Sequence, residues 1–425
     1  MVKFVSLGEY NKLYKYLWMY LVIKFISVFI FSKELVFQPF KNDAIKTPFS
    51  PFIFYQFYYV GCIVFSAILI VYEKISKKKS DKDILFNKKL IYNKLDITTE
   101  FGLSHKDYFI YINLFLAVIT DLLDEIIAAF QCSMFDYWVF EMLFFERFIA
   151  RLFHTKIYKH HIFSLIFIIC SCSIMQTIII IIKFVNHTEE VIIFDNRKWL
   201  IPSAIIVFFL TNVFRAYVYN NEKYYLEKKN ISFSQYLFIY GILGTAVSLF
   251  CAVLSTYNPC GDNSLPELSK ILCQYKTNED IYYFTNYTIF FKEFVSDYLG
   301  LRILFKIIDT ALYYIFNYYR LAIYKKLNPI YHICMRRLDE TMINLLILID
   351  YFIYTDTYQG LYITISILNI ILLIFFVSGS IVYLEFIELN FWDLNYNVKR
   401  KIKERSLIES VTEMDNISVN SDTSN

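Results

Sequence analysis

Charged side chains are scarce in this sequence. Asp, Glu, Lys and Arg make up only 19% of 425 residues, against about a quarter in an average soluble chain. With 57% hydrophobic residues and a mean hydropathy of +0.43, there is too little charge to coat a water-facing surface. A soluble domain is excluded and a membrane composition remains. Glycine and proline are also sparse, at nine and seven. Catalytic signatures are missing too. There is no HExxH, no GxSxG elbow, no P-loop and no glycine-rich dinucleotide turn. An enzyme is not expected, nor a cofactor, a metal or a nucleic-acid partner. Histidines number six. His154, His160 and His161 fall close together, but without a cysteine or carboxylate at ligand spacing they read as a solvated basic loop rather than a zinc site.

What the chain does contain is aromatic and aliphatic length. Phe and Tyr number 43 and 37. They either line a pore or express a general bias toward Phe, Tyr, Ile, Lys and Asn, and the bias is the simpler reading. A spanning helix needs about 20 mostly apolar residues. Ten runs reach or approach that length: 16–32, 52–72, 108–131, 137–153, 162–184, 199–218, 233–255, 298–319, 330–354 and 360–384. The expected fold is therefore all-α, a polytopic bundle of about ten transmembrane helices. The first run holds Lys24 and no small-x-small cleavage site follows it, so it reads as a signal anchor.

The connections test this layout independently. With the N-terminus inside, the inner loops carry Lys74, Lys77, Lys78, Lys79 and Lys82, then Lys156 and Lys159, then Lys223, Lys228 and Lys229, then Arg320, Lys325 and Lys326. The tail adds Lys399, Arg400, Lys401, Lys403 and Arg405. Outer loops are neutral or acidic, as at Glu189-Glu190 and Glu279-Asp280. That is the positive-inside bias. It divides the chain into a cytoplasmic N-terminus (1–15), a helix bundle (16–390) with a long outward loop (256–297), and a basic then polar cytoplasmic tail (391–425). Loop cysteines Cys260 and Cys273 are expected to pair, a closure contributing about 3 kcal/mol. The sequons at Asn186 and Asn286 fall in outward loops and are expected to accept glycans. The membrane is the plasma membrane or an endomembrane.

Several ionisable residues lie inside the apolar runs. Asp121, Asp124 and Glu125 share one helical face by their spacing. Glu141, Glu146, Arg147 and Arg151 lie in the fourth run, Arg302, Lys306 and Asp309 in the eighth, and Arg336, Arg337, Asp339 and Glu340 in the ninth. Each charge at mid-membrane costs about 2.5–3.5 kcal/mol on the mildest scale. Partners, water or protonation must therefore answer them. Snorkelling to the interface explains the residues near run ends. Asp121 and Asp309 lie deeper. Halving the ten runs gives five plus five, so the second half enters inverted, as in many transporters. Run three then corresponds to eight, and four to nine.

This layout resembles the drug/metabolite transporter superfamily, which includes nucleotide-sugar carriers and chloroquine-resistance-type vacuolar transporters. The segments Gly241-Ile242-Leu243-Gly244-Thr245 and Leu327-Asn328-Pro329-Ile330-Tyr331 are similar to stretches of that family. The ending Glu385-Phe386-Ile387-Glu388-Leu389-Asn390 resembles uncharacterised multi-pass proteins of lower eukaryotes. The resemblance implies a substrate cavity between the halves, lined by helices three, four, eight and nine. The expected function is a secondary carrier of a small polar or anionic solute, with protons as a possible coupling ion. Asp121, Glu141, Lys306, Asp309 and Arg337 would bind the solute or ion. The alternative is a non-transporting scaffold, receptor-like or assembly protein whose charges pair only with one another.

Overall fold

The computed structural model describes residues 2–4, 15–16, 18–26, 51–84, 108–129, 158–185, 200–228, 231–260, 275–276, 281–295, 299–326, 331–333, 360–383 and 387–389, with isolated positions including 385 and 392–394. Its long helices are α1 (Pro51–Ile84), α2 (Tyr108–Ala129), α3 (Lys159–Val185), α4 (Leu200–Lys228) and α5 (Phe233–Tyr257), then the short α6 (Tyr287–Phe294), α7 (Leu299–Lys326) and α8 (Gly360–Tyr383). A further helical stretch covers 18–26. Strand β1 (Val2–Phe4) pairs antiparallel with β4 (Ile387–Leu389), and β2 (Tyr275–Lys276) with β3 (Tyr282–Tyr283).

Among the described residues four helical stretches are long and apolar enough to cross a membrane: Phe52–Ile75, Lys159–Ile179, Phe233–Tyr257 and Ile363–Tyr383. Their outward faces are apolar, with Val60, Val64 and Ile68 exposed on α1 and Ile162, Ile166 and Ile174 on α3. Such a surface suits lipid and not water, so these are the helices of an integral membrane protein. Helix α7 shows the same inversion more sharply. Ile303, Leu304, Ile307 and Ile315 face outward while Lys306, Asp309, Asn317 and Arg320 are buried.

Helices α1, α2, α4, α5 and α7 form a bundle in which α1 packs chiefly on α5 and α4 on α2 and α7. Without a hydrophobic drive between helices in lipid, close approach depends on small residues. Gly241 of α5 supplies it: a Cβ there would stand 2.7 Å from the Tyr59 carbonyl oxygen and 3.0 Å from the Ile63 backbone nitrogen. Gly244 lies against the Tyr59 ring, and Gly61 of α1 against Thr310 of α7. Helices α3 and α8 pack chiefly on each other. Gly379 faces Ile168 there, and the Ser164 hydroxyl donates to the Gly379 carbonyl.

Three sequence boundaries need correcting. The run expected to end at 72 continues in α1 to Ile84, the run expected to end at 218 continues in α4 to Lys228, and the run expected to end at 319 continues in α7 to Lys326. Arg320, read from sequence as a loop charge, is a buried helical residue. Polar residues on one face ended the apolar windows early, although the helices did not end. The runs 137–153 and, for the most part, 330–354 lie outside the described residues. Cys260 is disulfide-bonded, but Cys273 also lies outside, as does Asn186. Asn286 is 8% exposed and its side-chain oxygen accepts the Ile289 N–H at 3.1 Å, making it the N-cap of α6. A side chain so enclosed leaves little access for a glycan.

Candidate functional site

The polar face of α7 organises the interior. Lys306, Asp309, Tyr313, Asn317, Arg320 and Tyr324 follow one another at spacings of three and four, which keeps them on one side of the helix. At about 1.5 Å per residue the row is about 27 Å long, close to the ~30 Å thickness of a bilayer's hydrocarbon core.

At one end Lys306 Nζ donates to Asp309 Oδ2 at 3.0 Å, and both residues are 7% exposed. The Tyr58 hydroxyl of α1 donates to the same carboxylate oxygen at 2.7 Å. Lys306 Nζ also sits 3.2 Å from the Phe54 ring centroid and 4.3 Å from that of Tyr58. This cation–π cage lowers the cost of burying the ammonium. Tyr58 stacks on Tyr313 at 4.4 Å, and the Tyr313 and Tyr240 hydroxyls are 3.2 Å apart. Tyr240 then donates to Asp121 Oδ2 of α2. The sequence is thus right about the Lys306–Asp309 pair. Asp121 faces that pair through tyrosines on α1, α5 and α7 and not directly.

Towards the other end lies a second ion pair. Glu222 of α4 has no exposure and Arg320 only 6%. Arg320 donates to Glu222 Oε1 at 3.4 Å, and the Tyr236 hydroxyl of α5 donates to that oxygen at 3.0 Å. Asn113 Nδ2 of α2 donates to the Tyr236 hydroxyl at 3.3 Å. Beyond Arg320, Tyr324 and His332 Nδ1 are 2.9 Å apart. Asp121 is within electrostatic range of both Glu222 and Arg320, so the two clusters share one field. Among the described residues, Glu222 Oε2, Arg320 Nε and Asn113 Oδ1 are buried and make no hydrogen bond. Burying polar atoms without partners is costly.

The residues expected to bind solute divide into two groups. Asp121, Lys306 and Asp309 come together in one interior, while Glu141 and Arg337 lie outside the described residues. The helices that enclose them are α1, α2, α4, α5 and α7. Sequence reasoning missed Glu222, Arg320 and the tyrosines. The periodic polar face of α7 was the signal for Arg320, and Tyr236 with Tyr240 at a spacing of four was the signal on α5. Nothing local marks Tyr58 or Glu222.

A third polar group lies apart from this interior, where α3 begins and α8 ends. His160 is 3% exposed and His161 largely buried, so the reading of these histidines as a solvated loop is overturned. A carboxylate does accompany them, supplied by Glu385 from 225 positions along the chain.

No family model matches the chain, and no curated protein matches it.

Proposed function

We propose that this protein is a secondary carrier of a small polar or anionic solute, with the interior around Asp121, Glu222, Lys306, Asp309 and Arg320 as its binding region. One observation carries the reading. Among the described residues Glu222, Arg320 and Asn113 keep unspent hydrogen-bonding capacity while buried, which suits a region that receives a polar guest. Two cations and three carboxylates at membrane depth are otherwise expensive. Chains of carboxylates and hydroxyls also serve proton relays in carriers, which supports protons as the coupling ion. The pairing of β1 with β4 brings the N-terminal strand beside the segment that follows α8, which supports both termini on one side and an even number of crossings. The ten-span inverted repeat of the drug/metabolite type belongs to this proposal, as do Glu141 and Arg337 in the lining and a Cys260–Cys273 bridge.

The second reading is a non-transporting scaffold, favoured by the pairing of Lys306 with Asp309 and of Arg320 with Glu222. Reconstitution into liposomes separates the two. Labelled nucleotide sugars, amino acids and organic anions are screened for uptake, with an imposed pH gradient in half of the samples. The carrier reading expects saturable uptake of at least one class, lost in Asp309→Asn and Asp121→Asn. If nothing is taken up while both variants fold as the parent does, the scaffold stands.

A further inference from the structure

We propose that His160, His161 and Glu385 form a divalent-metal site, best suited to zinc, that clasps the end of α8 to the start of α3. Glu385 Oε1 stands 3.3 Å from His160 Nε2 and 4.0 Å from His161 Nε2. One ligand atom from each of the three lies within 4.8 Å of the others. Zinc bonds of about 2.0–2.1 Å in tetrahedral geometry put neighbouring ligand atoms about 3.4 Å apart. Closing a shell of that size needs movements of an ångström or so. Two imidazoles and a carboxylate form a donor set that zinc accepts, with one position left open.

The surroundings favour ligation over a simple ion pair. His160 and His161 occupy the first turn of α3, and both present Nε2 to the Glu385 carboxylate. The neutral ring is the form that binds metal. A single carboxylate oxygen, Glu385 Oε1, faces both rings. Among the described residues His160 Nδ1 is buried and makes no hydrogen bond. Tyr158 and Tyr383 wall the group, their rings 5.9 Å from His160 and 4.6 Å from His161 respectively. Ligation through His161 Nε2 puts the ring proton on Nδ1 and gives up the Tyr158 N–H contact there, which at 3.4 Å is a weak one.

Glu385 itself adds a second line. It sits just past the end of α8 with φ of 63°, and its N–H donates to the Val382 carbonyl at 3.1 Å. That left-handed position after a helix is where glycine is preferred. The turn does not need a glutamate, so what the residue contributes there is its carboxylate.

The test uses the full chain without a polyhistidine tag, solubilised in detergent and stripped with EDTA. Zinc alone is titrated by calorimetry, and bound metal is counted after dialysis. We expect about one ion per chain, and a thermal midpoint that rises with zinc as ligand linkage requires. His160→Ala and Glu385→Gly should each weaken binding by at least about tenfold, since loss of even an outer partner of a metal ligand costs about 10–100-fold. Glu385→Gly relaxes the turn, so it keeps the test valid if His160→Ala does not fold. Equal zinc affinity and stoichiometry in the parent and Glu385→Gly overturns the proposal, as does a parent that binds no zinc.

Discussion

The central bundle and the α3–α8 pair handle polar groups in opposite ways. In the bundle, five helices enclose charges deep inside, and Lys306, Asp309, Glu222 and Arg320 each find a partner on α7 or a neighbouring helix. The α3–α8 contact holds hydroxyls such as Ser164 but, among the described residues, no buried ion pair along its length, and His160, His161 and Glu385 gather at one end. The reason is geometric. A buried charge needs partners on several sides, together with the exclusion of lipid. A bundle of five supplies both, whereas two helices expose most of their circumference to hydrocarbon. Only where the pair meets the interface can it hold ionisable groups at low cost.

The largest effect should come from breaking the deeper ion pair. Glu222→Ala leaves Arg320 buried without its carboxylate and should cost about 3–5 kcal/mol, whereas the double change Glu222→Leu with Arg320→Met should recover most of that loss. Unfolding in mixed micelles measures both. If the double variant is no better than the single one, Glu222 contributes through packing and not through charge.

Glycine contacts sharpen the contrast at the next level. Gly241→Ala drives a methyl into the backbone of α1 at Tyr59 and Ile63, which cannot yield, so overpacking should cost about 1–3 kcal/mol. The atoms nearest a methyl at Gly379 belong to the side chains of Ile168 and Phe167, which give more readily than backbone. The same assay should rank Gly379→Ala as the milder change, and the reverse order would show that the α3–α8 seam is the stiffer one.

Removing one hydroxyl should cost less again. Tyr240→Phe severs the link from Tyr313 to Asp121, and interhelical hydrogen bonds of this kind average about 0.6 kcal/mol, with a maximum of about 1.7. Its effect on any uptake should exceed its effect on stability. A change of comparable size lies outside both regions. Asn286→Ala removes the cap of α6 and should cost about 1 kcal/mol, with no loss of glycan mass on a denaturing gel.

Local pattern made part of the interior legible. Lys306 and Asp309 are three apart on one helix, so their pairing follows from helical geometry alone. Asp121 stood out because its neighbours are apolar. Glu222 did not, because the polar end of α4 reads as the approach to a loop. Arg320 was lost for the same reason, although it continues the polar face of α7. The Glu385 partnership was out of reach altogether, since a search for ligand spacing examines neighbours and this carboxylate arrives from the other end of the chain.

Composition and run length by themselves determined the membrane class, the helical fold and the positions of most long helices, because a bilayer demands about 20 apolar residues and internally satisfied backbone. The regular polar face of α7 was likewise written in spacing. Only the tertiary structure decided which charges meet, that tyrosines carry the connection from Asp309 to Asp121, and that two histidines share a glutamate. Each of those depends on how helices distant in sequence are set side by side, and glycines at Gly61, Gly241 and Gly244 fix the closest of those approaches. One-dimensional periodicity tells which face of a helix is polar. It does not tell which other helix that face will find.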